Sequence, residues 1–255
     1  MQVKQIIRSS AVVIAILMAM GNLAYGQLSG FRVAAGLSTM EIIGNNIAEY
    51  PFIWVTPKGK LYGGSFDQSQ NGFRLEAVFP LDTGSVFEMP VGFDYHFFQG
   101  REKEWIEYNS DVKLMHDVDV AALTFGLHYN FYEIHPFEYK AKFYLGMDMR
   151  PSLIFNARFK TISNYNFIGD TITNVYDTKS SAFRLGGTLQ FGLVGELNKD
   201  ISIDFRAGLG MMNLLGKSDE RGELLTPSKT REDYREAGES SVFDFNFMML
   251  LQFKL

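Results

Sequence analysis

The last fifteen residues, Ser241–Leu255 (SVFDFNFMMLLQFKL), alternate in a way that decides how the rest of the chain is read. Phe243, Phe245, Phe247, Met249, Leu251, Phe253 and Leu255 share one parity, and Asp244, Asn246, Gln252 and Lys254 fall on the other. Side chains of a β-strand point to opposite faces with a period of two, so this segment presents one apolar and one polar face. A soluble sheet can use the same pattern. A terminal strand of this kind in an exported chain is characteristic of the closing strand of an outer-membrane barrel, which meets lipid outside and a polar lumen inside.

The same alternation recurs seven times upstream. Apolar faces run through Phe31–Leu37, Phe73–Phe79, Phe87–Phe97, Ala121–Phe131, Phe137–Met149, Phe183–Leu193 and Ile201–Met211, which makes eight strands with the last. Pro90 falls inside the third and cannot donate to a ladder, which predicts a bulge there. The connections alternate long and short. Long ones cover about 40–70, 99–118, 158–181 and 214–240, the second and fourth rich in charge; Pro80–Gly84, Glu133–Pro136 and Asn198–Asp200 are tight turns. Outer-membrane barrels have this asymmetry of long outer loops and short periplasmic turns, with both chain ends periplasmic when the strand number is even. The expected fold is therefore all-β: an eight-stranded antiparallel up-and-down transmembrane β-barrel.

The amino terminus agrees with export. Lys4 and Arg8 precede the apolar run Ala11–Met20, and Ala24-Tyr25-Gly26 is a small-residue cleavage site, so residues 1–26 read as a signal peptide and 27–255 as the barrel domain. The apolar run is shorter than the roughly 20 residues a membrane helix needs. There is no cysteine, which excludes an N-terminal lipid anchor on cysteine, a disulfide and thiol catalysis. A formal charge of −5 argues against a nucleic-acid partner.

In the order of its local patterns the chain resembles the PorT-like outer-membrane β-barrel family. The resemblance rests on Phe31-Arg32-Val33-Ala34-Ala35-Gly36-Leu37-Ser38, on Glu88-Met89-Pro90-Val91 running to Tyr95-His96-Phe97-Phe98, on Phe191-Gly192-Leu193-Val194-Gly195-Glu196, and on Gly208-Leu209-Gly210-Met211-Met212-Asn213. It spans nearly the whole of residues 27–255. These patterns build barrels and carry no chemistry, so the resemblance implies an eight-stranded barrel and transfers no functional residue.

Candidate functional residues follow from the polar faces. Arg74, Glu76, Glu88, Asp94, Lys140, Lys142, Asp148, Arg150, Arg184, Glu196, Asp204 and Arg206 are expected to line the lumen as a charge network that pairs internally, because side chains fill a barrel of eight strands. On this reading Gln190 faces a polar lumen and accepts an arginine more readily than its outward neighbour Leu189. The run Phe52, Ile53, Trp54, Val55 in the first long connection, too short to span, is expected as a hairpin or an apolar contact patch. His96, with Asp94 two residues away, could act as a base beside a serine from another strand, yet no motif accompanies it. His128 is expected low in the lumen, His116 in an outer loop and His135 in a periplasmic turn, so they form no cluster, and no metal-ligand spacing occurs. No catalytic residue, cofactor or metal is expected. Expected partners are outer-membrane lipid, lipopolysaccharide and the barrel-assembly machinery. A structural or surface-binding role leads, with a small-solute channel second and a lipid-modifying enzyme third.

Overall fold

Backbone pairing between the two ends of the chain closes the sheet. The computed structural model describes residues 30–44, 48–49, 53–56, 59–106, 110–136, 139–166, 168–176, 181–217 and 239–255, with the backbone alone over 53–62. The proposed signal peptide and most of the last long connection lie outside the described residues. In chain order the strands are β1 (Arg32–Ile43), β2 (Ile53–Thr56), β3 (Gly59–Tyr62), β4 (Gln70–Pro80), β5 (Phe87–Ile106), β6 (Ser110–Ile134), β7 (Ala141–Tyr165), β8 (Asp170–Tyr176), β9 (Ser181–Glu196), β10 (Ile201–Leu215) and β11 (Phe243–Lys254). Eight of them form an antiparallel up-and-down ring, β1-β4-β5-β6-β7-β9-β10-β11, in which β11 pairs back onto β1 from Arg32↔Lys254 to Ile43↔Phe243. β2 and β3 form a separate hairpin, and β8 adds to the upper part of β7, so neither long connection contributes a pair to the ring.

The two faces of the ring meet different surroundings. Outside, Leu37, Met147, Leu189 and Leu209 are 60–65% exposed, in a band of Val, Leu, Met and Phe running round the barrel, while Arg74, Asp94, Asp204 and Asp244 inside are 0% exposed. A soluble barrel would bury the first set. An apolar exterior around a charged interior is the pattern of a barrel in lipid. Aromatic pairs mark both ends of the band: Phe31–Phe79, Phe87–Tyr129 and Phe143–Phe191 towards the short turns, and Tyr95–Phe97 with Tyr95–Phe155 towards the long loops.

The strands are not equal in length. β6 and β7 each run for 25 residues and β5 for 20, against 12 in β1 and β11. A tilted strand crosses a bilayer in about 9–11 residues. The charge-rich segment expected as a loop over 99–118 is therefore largely strand: β5 and β6 stay paired up to Ile106↔Ser110. The 158–181 connection likewise continues β7 and turns into β8. Charge does not end these strands, because beyond the apolar band their outer face meets water and can carry Arg101, Lys103 and Asp117.

Within this upper part the phase of the pattern inverts. Met40, Ile42, Ala48, Phe66, Phe98, Val118, Val120, Ile154, Met212 and Val242 point inward and form one buried apolar cluster. Ala48 and Phe66 come from the first long connection, which folds into the mouth of the barrel through a Phe66 N–H to Ala48 carbonyl bond at 3.0 Å. The barrel is thus built like a membrane barrel below and like a soluble one above.

Pro90 does not produce the expected bulge. Its pairing with β4 is regular, and the β5–β6 register is the same on both sides of it, with Met89 and Pro90 missing from that ladder. Gly126 opposite makes this possible, since a Cβ there would lie 2.8 Å from Pro90 Cγ. Irregularities fall elsewhere, at Asp117/Asp119 against β7, where Asn156 has φ 54°, at Asn130/Tyr132, and at Met211/Leu215. The Pro80–Gly84 turn is held by Asp82, whose carboxylate accepts from the amides of Gly84, Val86 and Phe87 at 3.0, 3.1 and 2.7 Å. Those amides hold its carboxyl below the ordinary range.

Candidate functional site

Among the described residues, the lumen is where the fold brings many polar side chains together away from solvent. At its centre Arg74 on β4 donates from Nε to Glu76 at 2.8 Å, from Nη1 to Asp94 at 3.4 Å and from Nη2 to Asp148 at 2.8 Å. Arg206 on β10 lies beside it and donates to both oxygens of Glu76, and to Asp204 at 2.6 Å. Arg150 on β7 bridges Asp94 at 3.4 Å and Asp244 at 3.6 Å. Each strand contributes through its inward parity, so residues from β4, β5, β7, β10 and β11 meet on the barrel axis.

Three guanidinium groups face five carboxylates here, whereas the twelve residues expected from the sequence divide into six basic and six acidic. Neutral donors supply part of the difference, while Asp94 Oδ1 and Asp244 Oδ2 stay buried without a hydrogen-bond partner among the described residues. Tyr144 Oη and Gln252 Nε2 donate to Asp204 at 3.0 and 2.8 Å, Asn246 Nδ2 to Asp244 at 3.0 Å, and Gln190 Nε2 to Asp148 at 2.8 Å. The Tyr144 ring stacks on His128 at 4.3 Å and occupies the space over Gly192, where a Cβ would meet the ring at 2.1 Å. Met248 and Leu250, on the otherwise polar parity of β11, are buried in the same interior.

Of the twelve expected lumen residues, Arg74, Glu76, Asp94, Asp148, Arg150, Asp204 and Arg206 join this network. Glu88 sits below it, paired with Arg32. Arg184 sits above, pairing with Glu239 at 2.7 Å, which also holds Asn213 Nδ2 at 2.9 Å. Lys140, Lys142 and Glu196 do not line the lumen. Both lysines reach Glu133 at the short-turn rim, at 3.4 and 3.7 Å, and Glu196 accepts from the Lys140 backbone amide at 3.1 Å. They stand at the ends of their strands, where long side chains turn to water.

The four histidines stay apart, but His116 lies buried within β6 and not in an outer loop. His135 is exposed at the rim, 3.1 Å from Glu133. His128 is buried beside Gln190. His96 meets Ser38 on β1, with Oγ and Nε2 3.0 Å apart, a contact between strands that the sequence leaves unspecified. Both residues are buried, His96 Nδ1 has no partner, and a Cβ on Gly72 would lie 2.6 Å from the ring. A reacting group has no room beside this pair. His116 lies in the upper chamber between Phe66 and Phe159, and its Nδ1–H donates to the Gly64 carbonyl at 3.1 Å. Burial pushes its pKa down to about 4, against the opposing pull of that carbonyl and Asp117.

A small cavity lies just under the chamber, lined by Val120, Arg150, Ser152, Gly186, Met211 and Met212. Among the described residues no group of three His, Asp or Glu side chains is placed to hold a metal ion. Ile53, Trp54 and Val55 belong to the β2–β3 hairpin, which gives the first long connection the hairpin expected of it. Phe52 lies outside the described residues, and so do the side chains of the contact patch.

No protein-family model matches the chain, and no curated protein matches it. Among solved structures it is similar to Neisserial surface protein A, with 11% identity over 88% of this chain and 97% of that one and a TM-score of 0.39. It is also similar to Ail, the attachment invasion locus protein of Yersinia pestis, with 11% identity over 89% and 99% and a TM-score of 0.39. The toluene transporter TbuX of Ralstonia pickettii aligns at 10% identity over 89% and 90%, with a TM-score of 0.23. The closure of β11 on β1, not these distant likenesses, establishes the barrel.

Proposed function

We propose that this chain is an exported outer-membrane barrel of the PorT-like kind that does not conduct solutes and acts as a structural or surface-binding component. On this reading residues 1–26 are a cleaved signal, the barrel-assembly machinery inserts residues 27–255, and both ends of the mature chain are periplasmic. The observation that carries the reading is the double obstruction of the lumen. Arg74, Arg150 and Arg206 with their carboxylates fill the middle, and Phe66, Phe98 and Met40 fill the mouth. Eight strands leave an interior that side chains can fill. Water has no continuous path through an ion-paired layer capped by an apolar one.

The role then falls to the outer surface, where β5–β8 stand above the apolar band. A lipid-modifying enzyme would need its nucleophile and base open to lipid, and Ser38 and His96 face the filled interior instead. The test is conductance of the purified barrel in a planar bilayer. The expected result is no stable step; reproducible single-channel steps from a preparation free of porins would favour the channel.

A further inference from the structure

Above the upper aromatic row, the outer wall of β5–β7 becomes basic. Phe97, Asp119 and Phe155 share one row of the ladder, and the next row up is Gln99, Asp117 and Arg158. Arg101 and Lys160 flank Met115 in the row after that, and Lys103 and Lys113 stand beside Ile162 in the third. The acidic residues facing these cations are accounted for. Asp117 pairs with Arg101, Asp111 pairs with Lys103 at 3.7 Å and accepts from Asn164, and Asp119 accepts from Asn156 Nδ2 at 2.7 Å. Lys113, Arg158 and Lys160 have no acidic partner among the described residues.

We infer that Lys113, Arg158 and Lys160 form a docking surface for the phosphate-bearing headgroup of a lipid in the leaflet at the long-loop end. The inference rests on the membrane-inserted reading above. Two residues along a strand and one strand across place these cations roughly 7–14 Å apart at Cα, a spread that spans one or two phosphates. Their height is the second argument. They begin one ladder row beyond the aromatic residues that mark the membrane interface, where headgroup phosphates lie. Met115 and Ile162 alternate with them and offer apolar surface to the stems of the cations and to the lipid. A free anion would find an open wall with no enclosure. Among the described residues the opposite wall lacks this character: Glu41 is exposed there and bonded by Ser69, and Lys217 donates to Ser241.

The experiment uses the full-length mature barrel in detergent micelles, with bisphosphorylated lipid A and the same lipid stripped of phosphate as probes, and counts bound lipid by native mass spectrometry. The parent should prefer the phosphorylated probe. The triple substitution Lys113→Gln, Arg158→Gln, Lys160→Gln should weaken that preference by at least about tenfold, with the parent's preference falling as salt rises. Glu41→Gln on the far wall should leave it unchanged. Equal binding by parent and triple variant, indifference to the phosphates, or displacement by millimolar inorganic phosphate would each overturn the proposal. Should the triple variant fail to give the heat-modifiable folded band, Lys113→Gln and Lys160→Gln are read singly in the same assay. Flotation with vesicles separates the two readings: a parent that does not float overturns membrane insertion and this surface with it, whereas one that floats but ignores phosphate overturns the surface alone.

Discussion

Arg74 on β4 donates across the lumen to Asp148 on β7 at 2.8 Å, past the intervening strands β5 and β6. The same guanidinium also holds Glu76 and Asp94, so three strands converge on one cation. Arg74→Met would leave all three carboxylates short of it, and breaking a buried pair from one side costs about 3–5 kcal/mol. Denaturant unfolding in detergent should show that loss. Arg74→Met combined with Asp148→Asn should recover part of it; a double variant as unstable as the sum of its parts would show that the two residues are not coupled.

Phe97 and Phe98 are neighbours with opposite surroundings, 47% and 0% exposed. Phe98→Ala removes a core side chain of the upper chamber and should cost about 3–5 kcal/mol. Phe97→Ala changes only a surface at the membrane interface and should cost less. The midpoints of unfolding for the two variants decide it, and the reverse order would mean that the phase of β5 does not invert above the band.

Leu189 and Gln190 test the lower half in the same way. Leu189→Arg should cost roughly 2–4 kcal/mol if the side chain lies near the bilayer midplane. Gln190→Arg is not the mild change that a merely polar lumen would allow. Gln190 is bonded to His128 and Asp148 and lies against Gly146, so a longer side chain overpacks the site at about 1–3 kcal/mol. A neutral Gln190→Arg would show that the interior has space to spare.

His116 makes the chamber sensitive to acid. Its pKa falls from 6.5 to about 4 on folding, so between those values the unfolded segment binds a proton that the folded one does not. Stability from this group is therefore full above pH 6.5 and declines as pH falls towards 4, by on the order of 3 kcal/mol. Amide exchange over residues 98–118, corrected for intrinsic rates, should accelerate at pH 5 relative to pH 7. His116→Gln keeps a donor for the Gly64 carbonyl and does not titrate; an unchanged pH dependence in that variant would remove His116 as the cause.

Much of this architecture was legible in the alternation of the chain, because period two fixes which residues share a face. It placed Leu189, Phe205 and Phe247 outside and Arg74, Asp94 and Arg206 inside. Periodicity does not say what each face meets. Alternation with charge at Arg101, Lys103 and Asp117 is as good a strand as alternation with phenylalanine, but it reads as a loop when lipid is assumed outside. The inward turn of Ala48 and Phe66 has no periodic signature. The contact of Ser38 with His96 depends on the β1–β4–β5 register, and the rim positions of Lys140 and Lys142 depend on where β7 starts; alternation specifies neither.

The chamber of Met40, Phe66, Phe98 and Val118 gives the barrel two thermal personalities. Opening the chamber exposes apolar side chains to water and raises the heat capacity, as melting a soluble domain does. The outward band of Leu37, Met147 and Leu209 stays in lipid or detergent whether the chamber is open or closed, and adds no such increment. The mouth should therefore weaken on cooling as hydrophobic burial loses strength, while the ion-paired belt beneath it holds. A calorimeter would record the loosening of the mouth as a broad, curved shift in baseline below the sharp melting of the ring.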